Sequence, residues 1–93
     1  MILHKIQTSP AQDNALSTCL RYIDKQDTLL LSGNAVNALL LTCWQEKLSQ
    51  ITVLVLKEDI EARGLNERLN QYSSISYEQF VQETLRHEKV ISW

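Results

Sequence analysis

The sequence is short of the residues that build most recognisable sites. Its two glycines, Gly33 and Gly64, cannot assemble a G-x-G-x-x-G turn or a Walker loop. Its two cysteines, Cys19 and Cys43, form no C-x-x-C pair, which argues against a disulfide framework and fits reduced thiols in a cytosolic protein. Together with His4 and His87 they show no metal-ligand spacing, so no metal and no cofactor is expected. No Ser/His/Asp order stands out, and the carboxylates are scattered as on a solvated surface. Nine basic against eleven acidic residues leave a formal charge of −2 with no basic run, which argues against direct nucleic-acid binding. No stretch approaches the length of a membrane span. Met1 to Ile6 is too short and turns polar too soon for a signal peptide, so a cytoplasmic location is the expectation. There is no linker, repeat or low-complexity segment, and 93 residues predict a single domain over 1–93.

What is present is an ordinary soluble composition, 44% apolar and 22% charged. A chain this small has a thin core, which makes association with other chains a natural expectation. The organising stretch is Ile51-Thr52-Val53-Leu54-Val55-Leu56, short, β-branched and apolar at nearly every position. Such a run predicts a strand covered on both faces, as in parallel sheets. Ile2–Ile6 and Thr28–Leu31 read as further strands, and Ser74–Ser76 as a weak fourth. Between them the spacing predicts helices. The first starts at Ser9-Pro10, with Ser9 as its cap, and runs to about Asp24. The second spans roughly Ala35 to Leu48, and the last Tyr77 to His87. A helical turn from Ile60 to Arg63 is closed by Gly64. Asn66 to Tyr72 is left as a loop or ragged helix. The alternation predicts an α/β domain with a mainly parallel four-stranded sheet, helices on both faces and right-handed crossovers. Its functional edge is expected at the carboxyl ends of the strands, at Gln7-Thr8-Ser9, Ser32-Gly33-Asn34, Lys57-Glu58-Asp59 and Tyr77.

Few side chains there carry obvious chemistry. Cys19 falls mid-helix on an apolar face with Leu16, Leu20 and Ile23, and no cation shares that face. It reads either as a small core residue or as a thiol that carries sulfur. Cys43, beside Leu39, Leu40 and Trp44, reads as core. In the last helix Tyr77, Phe80, Val81, Thr84 and Leu85 are expected on the buried side. His87 lies at the edge of that face, as a boundary residue or a polar contact to a partner. His4 reads as a structural histidine. Trp93 ends an apolar tail and either packs back on the domain or meets a partner.

The run Leu56-Lys57-Glu58-Asp59-Ile60-Glu61-Ala62-Arg63-Gly64-Leu65 is similar to one in the TusB/DsrH family of sulfur-relay proteins, where an acidic pair precedes Ala-Arg-Gly. The resemblance extends over nearly the whole chain. It includes Leu3-His4 with Ser9-Pro10, the Leu29–Leu31 run with its glycine turn, Tyr77 with Phe80-Val81, Thr84, His87, and the closing Ser92-Trp93. It implies a DsrE-like fold and a non-catalytic place in a heterohexamer with TusC-like and TusD-like subunits, two copies of each. TusA and TusE are implied as indirect partners through the complex, and the relay ends at 2-thiolation of the wobble uridine in tRNA. No direct tRNA contact is implied. His87, Trp93, Tyr77 and Arg63 are the candidate interface residues. One departure stands out: the family's turn after the second strand reads Asp-Gly, and here it reads Gly33-Asn34. DsrH-type members, which serve sulfur oxidation, resemble this chain in having a cysteine in the first helix, where Cys19 lies. The alternative this implies is a carrier holding persulfide on Cys19.

Overall fold

The computed structural model describes residues 1–93. Its frame is a five-stranded sheet in the order β4-β3-β2-β1-β5, formed by β1 (Ile2–Ile6), β2 (Thr28–Leu31), β3 (Thr52–Leu56), β4 (Ser73–Ile75) and β5 (Lys89–Ser92). Every pairing is parallel. The fifth strand corrects the four-stranded expectation. Lys89–Ser92, expected only as part of an apolar tail, becomes a strand by pairing along the free edge of β1, Ile2 opposite Lys89 and Lys5 opposite Ser92.

Strand parity sorts the side chains onto two faces. His4, Ile6, Leu29, Leu31 and Val55 point to one face, where all but His4 belong to a cluster of 15 buried apolar residues. Helix α1 (Ala15–Tyr22) contributes Leu16 and Cys19, and the segment that follows β2 contributes Ala35, Val36, Ala38 and Leu39. Helix α3 (Lys57–Ala62) adds Ile60. Leu3, Lys5, Thr28, Leu30 and Leu56 point to the opposite face. That side is crossed by α4 (Tyr77–Arg86), which carries the chain from one sheet edge to the other. The chain moves one way through β1 to β4 and returns in a single crossover. Right-handed connections therefore place α1 to α3 on one face and α4 on the other. No helix is long and apolar enough to cross a membrane.

Two local expectations change, and a third is settled in favour of a loop. Pro10 opens a turn, not a helix. Ser9 O accepts from the N–H groups of Gln12 and Asp13, and α1 starts only at Ala15, whose N–H donates to Asp13 Oδ1 at 2.7 Å. The second helix is two pieces, a 3-10 segment at Gly33–Leu40 and α2 at Thr42–Lys47, broken at the extended Leu41. The Gln45 side chain donates to Leu39 O at 2.7 Å and so engages a carbonyl beside the break. Asn66 to Tyr72 is a run of turns anchored by buried Leu65 and Leu69.

The end of α3 forms as its sequence implies. Gly64, at φ +66°, donates to Glu61 O, and Leu65 donates to Ile60 O, the paired bonds of a Schellman cap. The apolar contact that accompanies such a cap is supplied by Ile60 and Leu65, both buried in the main cluster.

Candidate functional site

The carboxyl edge of the sheet holds a cavity of about 340 Å³ lined by Lys5, Gln7, Leu30, Ser32, Gly33, Asn34, Leu56, Asp59, Arg63, Tyr77 and Phe80. It sits where the strand-end rule for open α/β sheets puts a ligand site. The turn after β2 is clamped there by α3. Gly33 N–H donates to Asp59 Oδ2 at 2.7 Å, and Arg63 donates to Asn34 Oδ1 at 2.8 Å. Arg63 also donates to Asp59 O, with the Asp59 carboxylate 3.9 Å from its guanidinium. Gly33 adopts φ +53°, and a Cβ there would lie 3.0 Å from Gln7 O. The position therefore requires glycine for its backbone and for the closeness of β1. The preceding acid serves the other neighbour: Glu58 Oε2 accepts from the Tyr77 N–H at 3.2 Å. The Glu58-Asp59 pair and Arg63 thus tie α3 to the turn after β2 and to the start of α4.

Helix α4 is seated differently from its sequence reading. Ser76 and Gln79 form a capping box, Ser76 Oγ accepting from Gln79 N–H and Gln79 Oε1 from Ser76 N–H. From that start Phe80, Thr84 and His87 turn toward the sheet. Tyr77, Val81 and Leu85 turn outward at 55%, 55% and 82% exposure, which corrects their placement on the buried side. His87 is internal, 6% exposed, with Nδ1 donating to Glu83 O at 2.7 Å and Nε2 bonded to Thr28 Oγ1 at 3.0 Å. A carbonyl can only accept, so the proton on Nδ1 is assigned by its partner. The His87 imidazole is spent inside its own domain, and of the four candidate interface residues Tyr77 is the open one.

On the other face, Trp93 does pack back on the domain. Its indole N–H donates to His4 Nδ1 at 3.0 Å, and its ring stacks on His4 and Tyr22 with centroids 6.0 and 5.9 Å away. An indole N–H cannot accept, so His4 carries its proton on Nε2 and donates it to Asp27 Oδ2 at 2.9 Å. Asp27 also accepts from the N–H groups of Ile2 and Asp24. Burial by itself raises this carboxyl, but the hydrogen bonds from His4, Asp24 and Ile2 hold it below the ordinary carboxylate value.

Cys19 lies in the same face and is 0% exposed. Burial first, and then the Asp27 carboxylate, push its thiol from an ordinary 9.0 up to about 11. Cys43, expected in the core, is exposed on α2. Its neighbour Trp44 takes the buried place.

Sequence reasoning pointed to the edge and to Arg63, but not to Asp27, Lys5 or Phe80 as site residues. The signal for Asp27 was its position directly before a wholly apolar strand. For Lys5 it was the parity that sets a charge beside Leu30.

Residues 8–90 match the model of the family described as DsrH like protein. The chain belongs to the DsrH-like family. It is similar over its whole length to Protein TusB of Pectobacterium parmentieri, at 34% identity over 96 residues, covering 99% of this chain and 100% of that one. Protein TusB of Klebsiella pneumoniae is 31% identical with the same coverage. Among solved structures, the solution NMR structure of protein Tm0979 from Thermotoga maritima superposes with a TM-score of 0.70 over 95% of both chains, at 23% identity. That likeness bears on the fold alone, an α/β domain with a parallel sheet.

Proposed function

We propose that the chain is a non-catalytic subunit of a TusBCD-type relay that passes persulfide sulfur toward 2-thiolation of the wobble uridine in tRNA. The observation that carries the reading is the state of Cys19. Sulfur transfer needs an accessible thiolate. A thiol at about 11 with no exposed surface is ionised to only about one part in ten thousand at neutral pH. Full-length similarity to proteins named TusB supports the placement, and a net charge of −2 suits protein partners better than tRNA.

The sister subunits, TusC-like and TusD-like, dock on the outer stripe of α4, where exposed Tyr77, Val81 and Leu85 repeat every four residues. TusA and TusE are met only through the assembled complex. Co-expression of the three proteins, followed by light scattering, gives one stable complex with two copies of each, and Leu85→Glu dissociates this chain from it. Cys19→Ala leaves wobble-uridine thiolation intact in cells. Sister subunits that assemble fully without this chain overturn the proposal. Loss of thiolation in Cys19→Ala with assembly preserved transfers it to a persulfide carrier.

A further inference from the structure

The cavity at the carboxyl edge contains a positive charge that the fold does not use. Lys5 stands on the interior strand β1, between β2 and β5, its side chain half-buried beside Leu30. Its ammonium lies 5.1 Å from the centroid of the Phe80 ring and takes part in none of the ion pairs of the chain. Arg63 and Asp59, by contrast, are committed to each other and to the turn after β2. Two cations and one carboxylate leave the cavity lining with a single net positive charge. Its apolar lining includes Leu30, Leu56 and Phe80, and Gln7 is among its polar lining residues. The ammonium has an aromatic ring beside it and no carboxylate paired with it, so the cavity has a place for a counter-charge.

We propose that this cavity binds a small organic monocarboxylate. The apolar body rests on Leu30, Leu56 and Phe80, and the carboxylate meets the Lys5 ammonium. One negative charge matches the net charge of the lining. An inorganic dianion would carry a second charge toward Asp59 and leave the apolar surface uncovered. A volume of about 340 Å³ suits a ligand of this size. The proposal is independent of the relay reading and stands on the isolated chain.

Benzoate, benzamide and inorganic phosphate, titrated separately into the isotope-labelled full chain, test it through the backbone amide shifts of Gly33, Asn34 and Tyr77. Benzoate gives saturable shifts, and the neutral isostere benzamide and phosphate bind at least about tenfold more weakly. Lys5→Met loses the benzoate response while its Tm stays at or above that of the parent, because the partly buried charge is gone. Lys5→Arg, which keeps the charge, retains binding. Equal shifts with benzamide, tighter binding of phosphate, an unimpaired Lys5→Met or no saturable response to benzoate overturns the proposal.

Discussion

The two faces of the sheet are built differently. One carries a cluster of 15 buried apolar residues under α1, the 3-10 segment and α3. The other is crossed by α4, none of whose residues is fully buried, and relies on Leu3, Leu30 and Leu56 beneath polar contacts such as His87 to Thr28. The contrast separates two tasks. The closed face supplies the stability of the fold, and the thinly covered one leaves room for the cavity and an apolar stripe free to meet another chain. A small domain that buried both faces equally would have no such surface to offer.

Truncation should sharpen this contrast most. Leu29→Ala opens a cavity under the closed face and should cost about 2–5 kcal/mol in chemical denaturation. Leu85→Ala on the outer side of α4 should stay within about 0.5 kcal/mol in the isolated chain. Equal losses at the two positions would erase the distinction.

The polar networks come next. Asp27→Asn places an amide NH₂ among three donors on the closed face and should cost about 1–3 kcal/mol. Because the folded carboxyl lies below its ordinary value, its contribution is present above that value and is lost as pH falls through the folded one. Tm should therefore drop on acidification below about pH 4, the ordinary Asp value, and Asp27→Asn should flatten that drop.

The two glycines give a smaller comparison. Gly33→Ala meets both a positive φ and Gln7 O at 3.0 Å, whereas Gly64→Ala meets open space. Gly64→Ala should cost about 1–2 kcal/mol for its left-handed backbone, and Gly33→Ala more, with shifted amide resonances at Asp59 and Arg63. A reversal of that order would show the clamp on the turn to be slack.

The thiols give the smallest expected effect on stability and the sharpest on reactivity. Cys43 should be alkylated in the folded protein, while Cys19 waits for unfolding. The raised thiol of Cys19 favours the protonated folded state, so its contribution is complete below 9 and declines as pH rises toward about 11. Cys19→Ala should remove that part of the alkaline loss.

Much of the frame was legible because it rests on local chemistry. The short aliphatic and β-branched runs at Thr28–Leu31 and Thr52–Leu56 both form strands; the first is buried throughout, whereas the second, expected to be covered on both faces, is buried only at Val55 and Leu56. Gly64 ends α3 with an apolar pair on either side of the cap. The seating of α4 was not legible. Both Phe80-Thr84-His87 and Tyr77-Val81-Leu85 recur at helical spacing, and the second is the more apolar. The first faces inward because Ser76, Gln79 and Glu58 fix the start of the helix and Thr28 waits under His87. Cys43 was misplaced for a related reason: the break at Leu41 turns α2 so that Trp44 goes in and Cys43 out.

The amino-acid sequence by itself determined the parallel α/β alternation and the family, and it pointed to the carboxyl edge, where the cavity lies. Apolar runs, glycine turns and local motifs report on neighbours a few residues apart. Tertiary structure alone decided that Lys89–Ser92 becomes a strand, that Trp93 closes over His4 and that Lys5 faces an open cavity. Each depends on what the far end of the chain brings alongside, and no local pattern carries that information.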